Sequence, residues 1–319
     1  MCKRVQFKYN TKKVNAAANT TKQKLSLPYT CMLPDWLAIK PANTERYGEI
    51  KDTINSLGLH TVCVEAHCPN ITECWSAGTA TFMILGGTCT RGCRFCAVQK
   101  RAIGEGIDIL EPTKLASVIK KWGLDYVVLT SVCRDDLPDQ GSGHFAACVR
   151  EIKRVCANTL VEVLIPDFRG DVSCLQRIVD AKPDVIGHNI ETVERLNPII
   201  RDRRANYSQS LKVLQTSKQL DRRIYTKSAM MLGVGETEEE IIKSLQDLRA
   251  NGVDFVAIGQ YLRPSQHHYE VKEYVTPEKF ERLRKKALEL GFLYVAAGPF
   301  VRSSYKAGEY FVKRLIQNK

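Results

Sequence analysis

Twelve cysteines are many for a chain of 319 residues, and their spacing says more than their number. Six of them, Cys63, Cys68, Cys74, Cys89, Cys93 and Cys96, crowd into 34 residues, whereas Cys2, Cys31, Cys133, Cys148, Cys156 and Cys174 are scattered. In a reducing compartment such crowding favours metal binding or thiol chemistry over structural disulfides. The scattered six read as small hydrophobes or idle thiols. Cys89, Cys93 and Cys96 present three thiolates from one glycine-bearing loop, Gly86-Gly87-Thr88-Cys89-Thr90-Arg91-Gly92-Cys93-Arg94-Phe95-Cys96. An iron–sulfur cubane normally takes four cysteines, so a compact set of three leaves one iron open to another group. A zinc loop completed by a distant His or Cys is the alternative. The earlier set, Cys63, Cys68 and Cys74, has spacings of neither a zinc finger nor a redox pair, although His67 could complete a zinc tetrad.

The elements that must hold these residues form a βα alternation from residue 79 onward. Strands are expected at Thr79 to Leu85, Asp125 to Val132, Thr159 to Pro166, Asp184 to Ile190, Ile224 to Val234, Asp254 to Leu262 and Leu293 to Phe300. Between them, Thr237 and Glu240 make a capping box ahead of Ile241, Ile242, Leu245 and Leu248. Thr276-Pro277 opens a helix with Phe280, Leu283, Ala287 and Leu290 on one stripe and Gly291 at its end. Leu115, Val118, Ile119 and Trp122, closed by Gly123, form a third stripe. About six βα units in roughly 220 residues fall short of the eight-unit barrel, which takes ~250. The expected fold is α/β: a partial (βα)6 TIM-type barrel at residues 79–292, an N-terminal extension at 33–78 and a C-terminal extension at 293–319. Sites in such sheets gather at the C-terminal strand ends.

The formal net charge is +12, but residues 1–32 contribute seven of the 47 basic residues and none of the 35 acids, so the remainder is only mildly basic. That balance does not select a nucleic-acid partner. With no secretory core and only one arginine and one serine in its first thirty residues, the tail reads as disordered and cytoplasmic; an organellar presequence stays open because acids are absent. Apolar runs are strand-length, far below the ~20 residues of a membrane span.

The triad at 89–96, with Phe95 before its third cysteine and a barrel strand before its loop, resembles the radical S-adenosylmethionine superfamily. The segment Cys63-Val64-Glu65-Ala66-His67-Cys68-Pro69-Asn70-Ile71-Thr72-Glu73-Cys74-Trp75, together with Arg302-Ser303-Ser304-Tyr305, narrows the resemblance to the lipoyl synthase family. The resemblance implies two 4Fe-4S clusters. Cys89, Cys93 and Cys96 would hold the one that binds S-adenosylmethionine and cleaves it to a 5′-deoxyadenosyl radical, with Phe95 beside the cofactor. Cys63, Cys68, Cys74 and Ser304 would hold an auxiliary cluster, carried by the two extensions, that is dismantled to supply sulfur. Without the resemblance, Ser303 and Ser304 are loop hydroxyls capping backbone groups, and chemistry alone does not choose between them as ligand. Thr130 and Ser131 match the segment near the methionine part of the cofactor. Asn189 and Glu191 could bond ribose hydroxyls, and Gly233 and Gly235 would permit approach of the adenosyl group. His188 reads as structural.

The implied reaction inserts two sulfur atoms at carbons 6 and 8 of a protein-bound octanoyl-lysine, using two molecules of S-adenosylmethionine. Unactivated C–H bonds offer no acidic proton to a side-chain base, so a radical initiator suits the task. The implied partners are an octanoylated lipoyl carrier domain or glycine-cleavage H protein, a ferredoxin or flavodoxin donor and an iron–sulfur assembly factor, with no nucleic acid and no membrane. An RNA-directed methylthiotransferase would need an RNA-binding extension, and none is visible. A zinc-stabilised nucleic-acid module is the reading from another class.

Overall fold

The computed structural model describes residues 34–37, 45–66, 68, 70–76, 81–304 and 316. The basic tail at residues 1–32 lies outside them, as do His67 and Tyr305. An eight-stranded sheet runs in the order β1 (His60–Thr61), β2 (Thr81–Ile84), β5 (Tyr126–Ser131), β6 (Leu160–Leu164), β7 (Val185–Gly187), β8 (Tyr225–Leu232), β9 (Phe255–Gln260) and β10 (Tyr294–Gly298). Strands β3 (Thr88–Cys89) and β4 (Gln99–Lys100) form a separate ladder.

From β2 to β10 every neighbouring pair is parallel and follows sequence order. This is the winding of a barrel rather than of a doubly wound sheet. Its edges do not pair with each other: β1 covers one edge antiparallel and β10 forms the other. The expected open barrel is therefore present, each of the seven expected strands overlapping an observed one. Residues 79 and 80 of the first lie outside the described residues. The sheet also continues past residue 292, since β10 pairs with β9 from Tyr294 to Gly298.

Helices α4 (Glu111–Trp122), α5 (Ser142–Val155), α6 (Val172–Asp180), α8 (Tyr207–Leu220), α9 (Glu238–Ala250) and α10 (Pro277–Glu289) cover the sheet; α7 (Asn197–Ile200) is a single turn after β7. Local chemistry accounts for their ends. Pro112 sits in the first turn of α4 and Gly123 closes it with φ 61°; the Thr237–Glu240 box forms on α9; Thr276 caps α10 through the Lys279 N–H. Leu115, Val118, Ile119 and Trp122 all turn inward, as do Ile241, Leu245, Leu248, Phe280, Leu283 and Ala287, while Ile242 and Leu290 remain half-buried. The N-terminal extension packs α1 (Glu45–Leu57), α2 (Val62–Glu65) and α3 (Ile71–Ser76), with Tyr47 against the fully buried Trp75 at 5.1 Å. No described helix is long and apolar enough to cross a membrane.

Candidate active site

The chain leaves β2 through Leu85 and Gly86, both at positive φ, and enters the loop that carries Cys89, Cys93 and Cys96. Pairing of Cys89 with Lys100 and the Arg101 N–H on the Cys89 carbonyl at 3.1 Å close that loop on itself. Its anchor is Arg91, only 4% exposed, which donates to both oxygens of Asp135 at 2.8 and 2.9 Å and to Asp167 at 2.7 Å. A buried guanidinium needs such partners, because an unpaired charge in the interior is strongly unfavourable. Burial alone would raise the Asp135 carboxyl, yet the Arg91 hydrogen bonds and charge hold it down to about 2. Further ties run from other strand ends: Asp202 accepts the Gly92 N–H at 2.7 Å, Ile200 the Arg94 N–H at 2.7 Å, and His268 Nε2 donates to the Cys96 carbonyl at 3.1 Å.

The three thiols are half-buried, free of disulfides and close enough to feel one another's charge. Burial pushes Cys96 up to about 12 and raises Cys93, with the neighbouring thiolates and Glu191 adding to it; the Asp202 N–H, 3.3 Å from Cys93 Sγ, and the Arg201 charge oppose the Cys93 shift. A cation among them reverses that balance. Cys89 behaves differently. The Cys133 thiol beside it brings it down to about 6 against burial, while Cys133 itself is raised well above the usual thiol range by Cys89 and by its own burial. Cys133 is thus an exception among the scattered cysteines. Cys148 and Cys174 are packed in the core as expected, Cys156 is half-buried and reaches the Ala116 carbonyl at 3.7 Å, and Cys2 and Cys31 lie outside the described residues. Cys148 has Glu111 and His144 beside it, but that carboxylate already accepts from Leu85 N–H and His144 at 3.1 and 2.7 Å.

The other residues expected to face the cofactor line the same end of the sheet. Phe95 packs half-buried on the apolar cluster containing Ile190, Leu196 and Ile200. Thr130 spends its hydroxyl on the Leu164 carbonyl at 2.9 Å, whereas the buried Ser131 hydroxyl has no hydrogen-bond partner among the described residues. Glu191 sits at φ 66° and bridges to β8 through Met230; its carboxyl, raised by burial against the Arg201 charge, accepts from Asn189 Nδ2 at 3.2 Å. His188 is structural: Nδ1 donates to the Ile165 carbonyl at 2.9 Å and Nε2 accepts from Ser210, which in turn accepts from Arg201 at 2.7 Å. A carbonyl can only accept, which assigns the proton to Nδ1. Gly233 and Gly235 both have positive φ, 93° and 108°. At Gly233, however, a side chain would meet the Glu273 carbonyl at 2.3 Å, so its close approach is to the protein's own backbone. Glu236 caps this turn through the Gly233 and Val234 N–H groups at 2.6 and 3.0 Å.

The second triad occupies the N-terminal extension. Thr61 caps α2, which carries Cys63, and the Cys68 N–H reaches back to the Cys63 carbonyl at 3.1 Å; α3 carries Cys74. Burial raises Cys63 to about 11, with Cys68 adding to it, and the otherwise unpartnered Trp75 indole N–H interacts with the Cys63 sulfur. Cys68 is raised by burial too, against the Asn70 N–H and the charge of Arg302. The C-terminal segment is delivered here by two contacts. Asn70 Nδ2 donates to the Phe300 carbonyl at 2.7 Å, and Val301 crosses β9 so closely that a side chain on Gly259 would sit 2.0 Å from its carbonyl oxygen. Arg302 therefore stands beside Cys68, and Ser303 and Ser304 form the turn that follows it. The pairing of Arg91 with Asp135 and Asp167, and the parts played by Arg201 and Asp202, were not legible in the sequence, because these groups meet from loops far apart along the chain.

Comparison with known proteins agrees with this geometry. The model of the radical SAM superfamily matches residues 83–248. Mitochondrial lipoyl synthase of Aedes aegypti is 53% identical over 292 residues, covering 90% of this chain and 74% of that protein. Its Drosophila melanogaster counterpart is likewise 53% identical over 292 residues, covering 90% and 78%. The crystal structure of methylornithine synthase (PylB) superposes with a TM-score of 0.50 at 15% identity, over 74% of this chain and 80% of that one, a likeness of fold alone. By its superfamily match and by its identity over nine-tenths of its length, the chain belongs to the lipoyl synthase family of radical SAM enzymes.

Proposed function

We propose that Cys89, Cys93 and Cys96 hold the cluster that binds S-adenosylmethionine, and that Cys63, Cys68 and Cys74 with Ser304 hold the sulfur-donating cluster of a lipoyl synthase. The observation that carries this reading is the pair of separate, disulfide-free thiol tripods, one at the barrel's strand ends and the other met by the C-terminal turn after Arg302. Two such donor sets fit two iron–sulfur clusters, since each leaves room for one non-cysteine ligand. Ser304 supplies a hard oxygen, a poorer match to cluster iron than thiolate and so a bond suited to release.

When bound, the two clusters and S-adenosylmethionine supply the electron, the hydrogen-abstracting radical and the sulfur atoms placed on the octanoyl chain. The protein's own residues bind and orient. The unpartnered Ser131 hydroxyl is the group best placed to bond the cofactor, because a buried hydroxyl left alone is unfavourable. Thr130 supports Ser131 from the sheet, Asn189 and Glu191 offer a polar pair for ribose hydroxyls, Gly235 leaves its backbone open, and Phe95 walls the site. Gly233 shapes the turn before it.

The substrate arm comes from a lipoyl carrier domain, with the glycine-cleavage H protein as one such carrier. A ferredoxin or flavodoxin supplies electrons, and an iron–sulfur assembly factor restores the spent cluster. The relatives compared are mitochondrial proteins, which supports an organellar address over the cytoplasmic one suggested by the tail. The test is anaerobic reconstitution followed by S-adenosylmethionine, a reductant and an octanoyl-lysyl peptide, read by mass spectrometry. The expected product carries two sulfur atoms in place of two hydrogens. Deoxyadenosine without any sulfur-bearing peptide contradicts the assignment of the second triad.

A further inference from the structure

The two cysteine-bearing segments meet at a pair of glycines. Cys63 follows β1, whose His60 pairs with Met83 of β2, and Cys89 follows the Gly86-Gly87-Thr88 turn that leaves the same strand. Three side chains lie over that turn. Glu105 receives the Gly87 N–H and the Thr88 hydroxyl on its Oε1, at 3.1 and 2.7 Å. His60 Nδ1 donates to Glu65 at 3.0 Å, and its Nε2 stands 3.9 Å from Glu105 Oε2. One imidazole is thus flanked by a carboxylate from each segment, Glu65 from the helix that carries Cys63 and Glu105 from the loop that follows Cys96. The glycines let this clasp close. A side chain on Gly86 would sit 2.8 Å from Glu105 Oε2, and one on Gly87 would sit 3.1 Å from His60 Nδ1 and 3.5 Å from Glu65. Glu105 is held in its turn: the Gly104 N–H donates to Asp136 at 3.2 Å, and the buried Arg134 bonds both Asp136 oxygens at 2.9 Å and the Leu85 carbonyl at 3.3 Å.

Partly exposed pairs of this kind add little to stability. The β1–β2 pairing and the packing of Tyr47 on Trp75 already hold the extension to the barrel. What the clasp fixes is the lie of one segment on the other. Reacting groups displaced by about 1 Å can lose about a hundredfold in rate, and in the proposed reaction hydrogen removal and sulfur delivery reach the same carbon atoms from different tripods. We propose that His60 is a positioning residue: by bridging Glu65 and Glu105 it sets how the second triad's segment lies against the first triad's loop, and so couples hydrogen abstraction to sulfur insertion. This rests on the assignment of the two triads given under the proposed function.

The test uses the full chain carrying both clusters, unsubstituted and as His60→Ala, His60→Asn, Gly87→Ala and the double variant His60→Ala with Gly87→Ala. It reads iron and sulfide content, deoxyadenosine released per sulfur inserted into an octanoyl-lysyl peptide, and the magnetic interaction between the two reduced clusters, which depends on their separation. His60→Ala is expected to keep its iron and sulfide, to raise deoxyadenosine per sulfur several-fold and to change the magnetic interaction. His60→Asn, whose amide replaces the Nδ1 donor, is expected to recover most of both. Gly87→Ala crowds His60 and is expected to uncouple as well, yet to add nothing on top of His60→Ala, the non-additivity of groups in contact. A His60→Ala protein with full clusters that leaves either the ratio or the magnetic interaction unmoved overturns the proposal. So does loss of a cluster in both His60 variants, or additive effects in the double variant. Failure of the underlying assignment looks different, because the unsubstituted protein would then hold fewer than two cubanes or insert no sulfur.

Discussion

At the scale of single residues, the cluster loop depends on one buried cation. Arg91 bonds to Asp135 and Asp167 across 44 and 76 residues of sequence, so it couples the loop to the ends of β5 and β6. Removing one partner from a buried ion pair typically costs about 3–5 kcal/mol, because the other charges are left uncompensated. Arg91→Ala is expected to lower the unfolding free energy by that amount in urea titration and to reduce iron retained per chain. A second expectation concerns pH. Burial, aided by the Arg201 charge, holds His188 at about 4 against the ordinary 6.5. The folded state therefore binds fewer protons than the unfolded chain between those values. Stability is full above about 6.5, falls as pH drops through this window and levels off below about 4. The drop is of order 3 kcal/mol, since each tenfold change in proton affinity is worth ~1.4 kcal/mol. Urea midpoints of the unsubstituted protein and His188→Gln, measured in parallel from pH 7 to 4.5, are expected to show the steeper fall in the former. Equal slopes would remove His188 as the cause.

At the scale of elements, strand and helix positions were legible because each is written in local periodicity: buried runs for β2 and β5 to β10, and capped stripes for α4, α9 and α10. The cysteine triads were legible for the same reason, each being a short contiguous segment. What stayed hidden depends on contacts distant in sequence. The two-residue β1 pairs only through His60 with Met83 and Thr61 with Phe82. Cys133 looks idle until the turn after β5 meets Thr90. Gly233 was expected to permit approach of the adenosyl group, and what the sequence did not show is that a side chain there would meet the Glu273 carbonyl. Gly259 gave no signal within a strand, yet it lets the C-terminal segment cross β9. Gly259→Ala would force backbone apart, at a cost of roughly 1–3 kcal/mol for an overpacked core. The variant is expected to displace the turn after Arg302 and to lose sulfur insertion while still forming deoxyadenosine, which parallel assays of the two products would separate. Loss of both products together would mean that β9 itself is disrupted.

At the scale of the whole molecule, the open barrel explains how two clusters share one chain. Its parallel strand ends gather the first triad and the residues proposed to face the cofactor. The N-terminal extension covers one sheet edge with β1 and carries the second triad. The segment beyond β10, at the opposite edge, is tied by Phe300 to Asn70 in that extension. In the proposed assignment neither terminal segment completes the second donor set alone, so the chain would need both flanks of the barrel. Division of labour between the two tripods is the central claim, and it is tested most directly by Cys93→Ala and Cys68→Ala in anaerobically reconstituted protein supplied with S-adenosylmethionine and reductant. Each variant is expected to hold one cubane in place of two; Cys68→Ala is expected to release deoxyadenosine without sulfur insertion, and Cys93→Ala to release none. Equal loss of deoxyadenosine from both variants, or zinc in place of the cubanes in the unsubstituted protein, would contradict it.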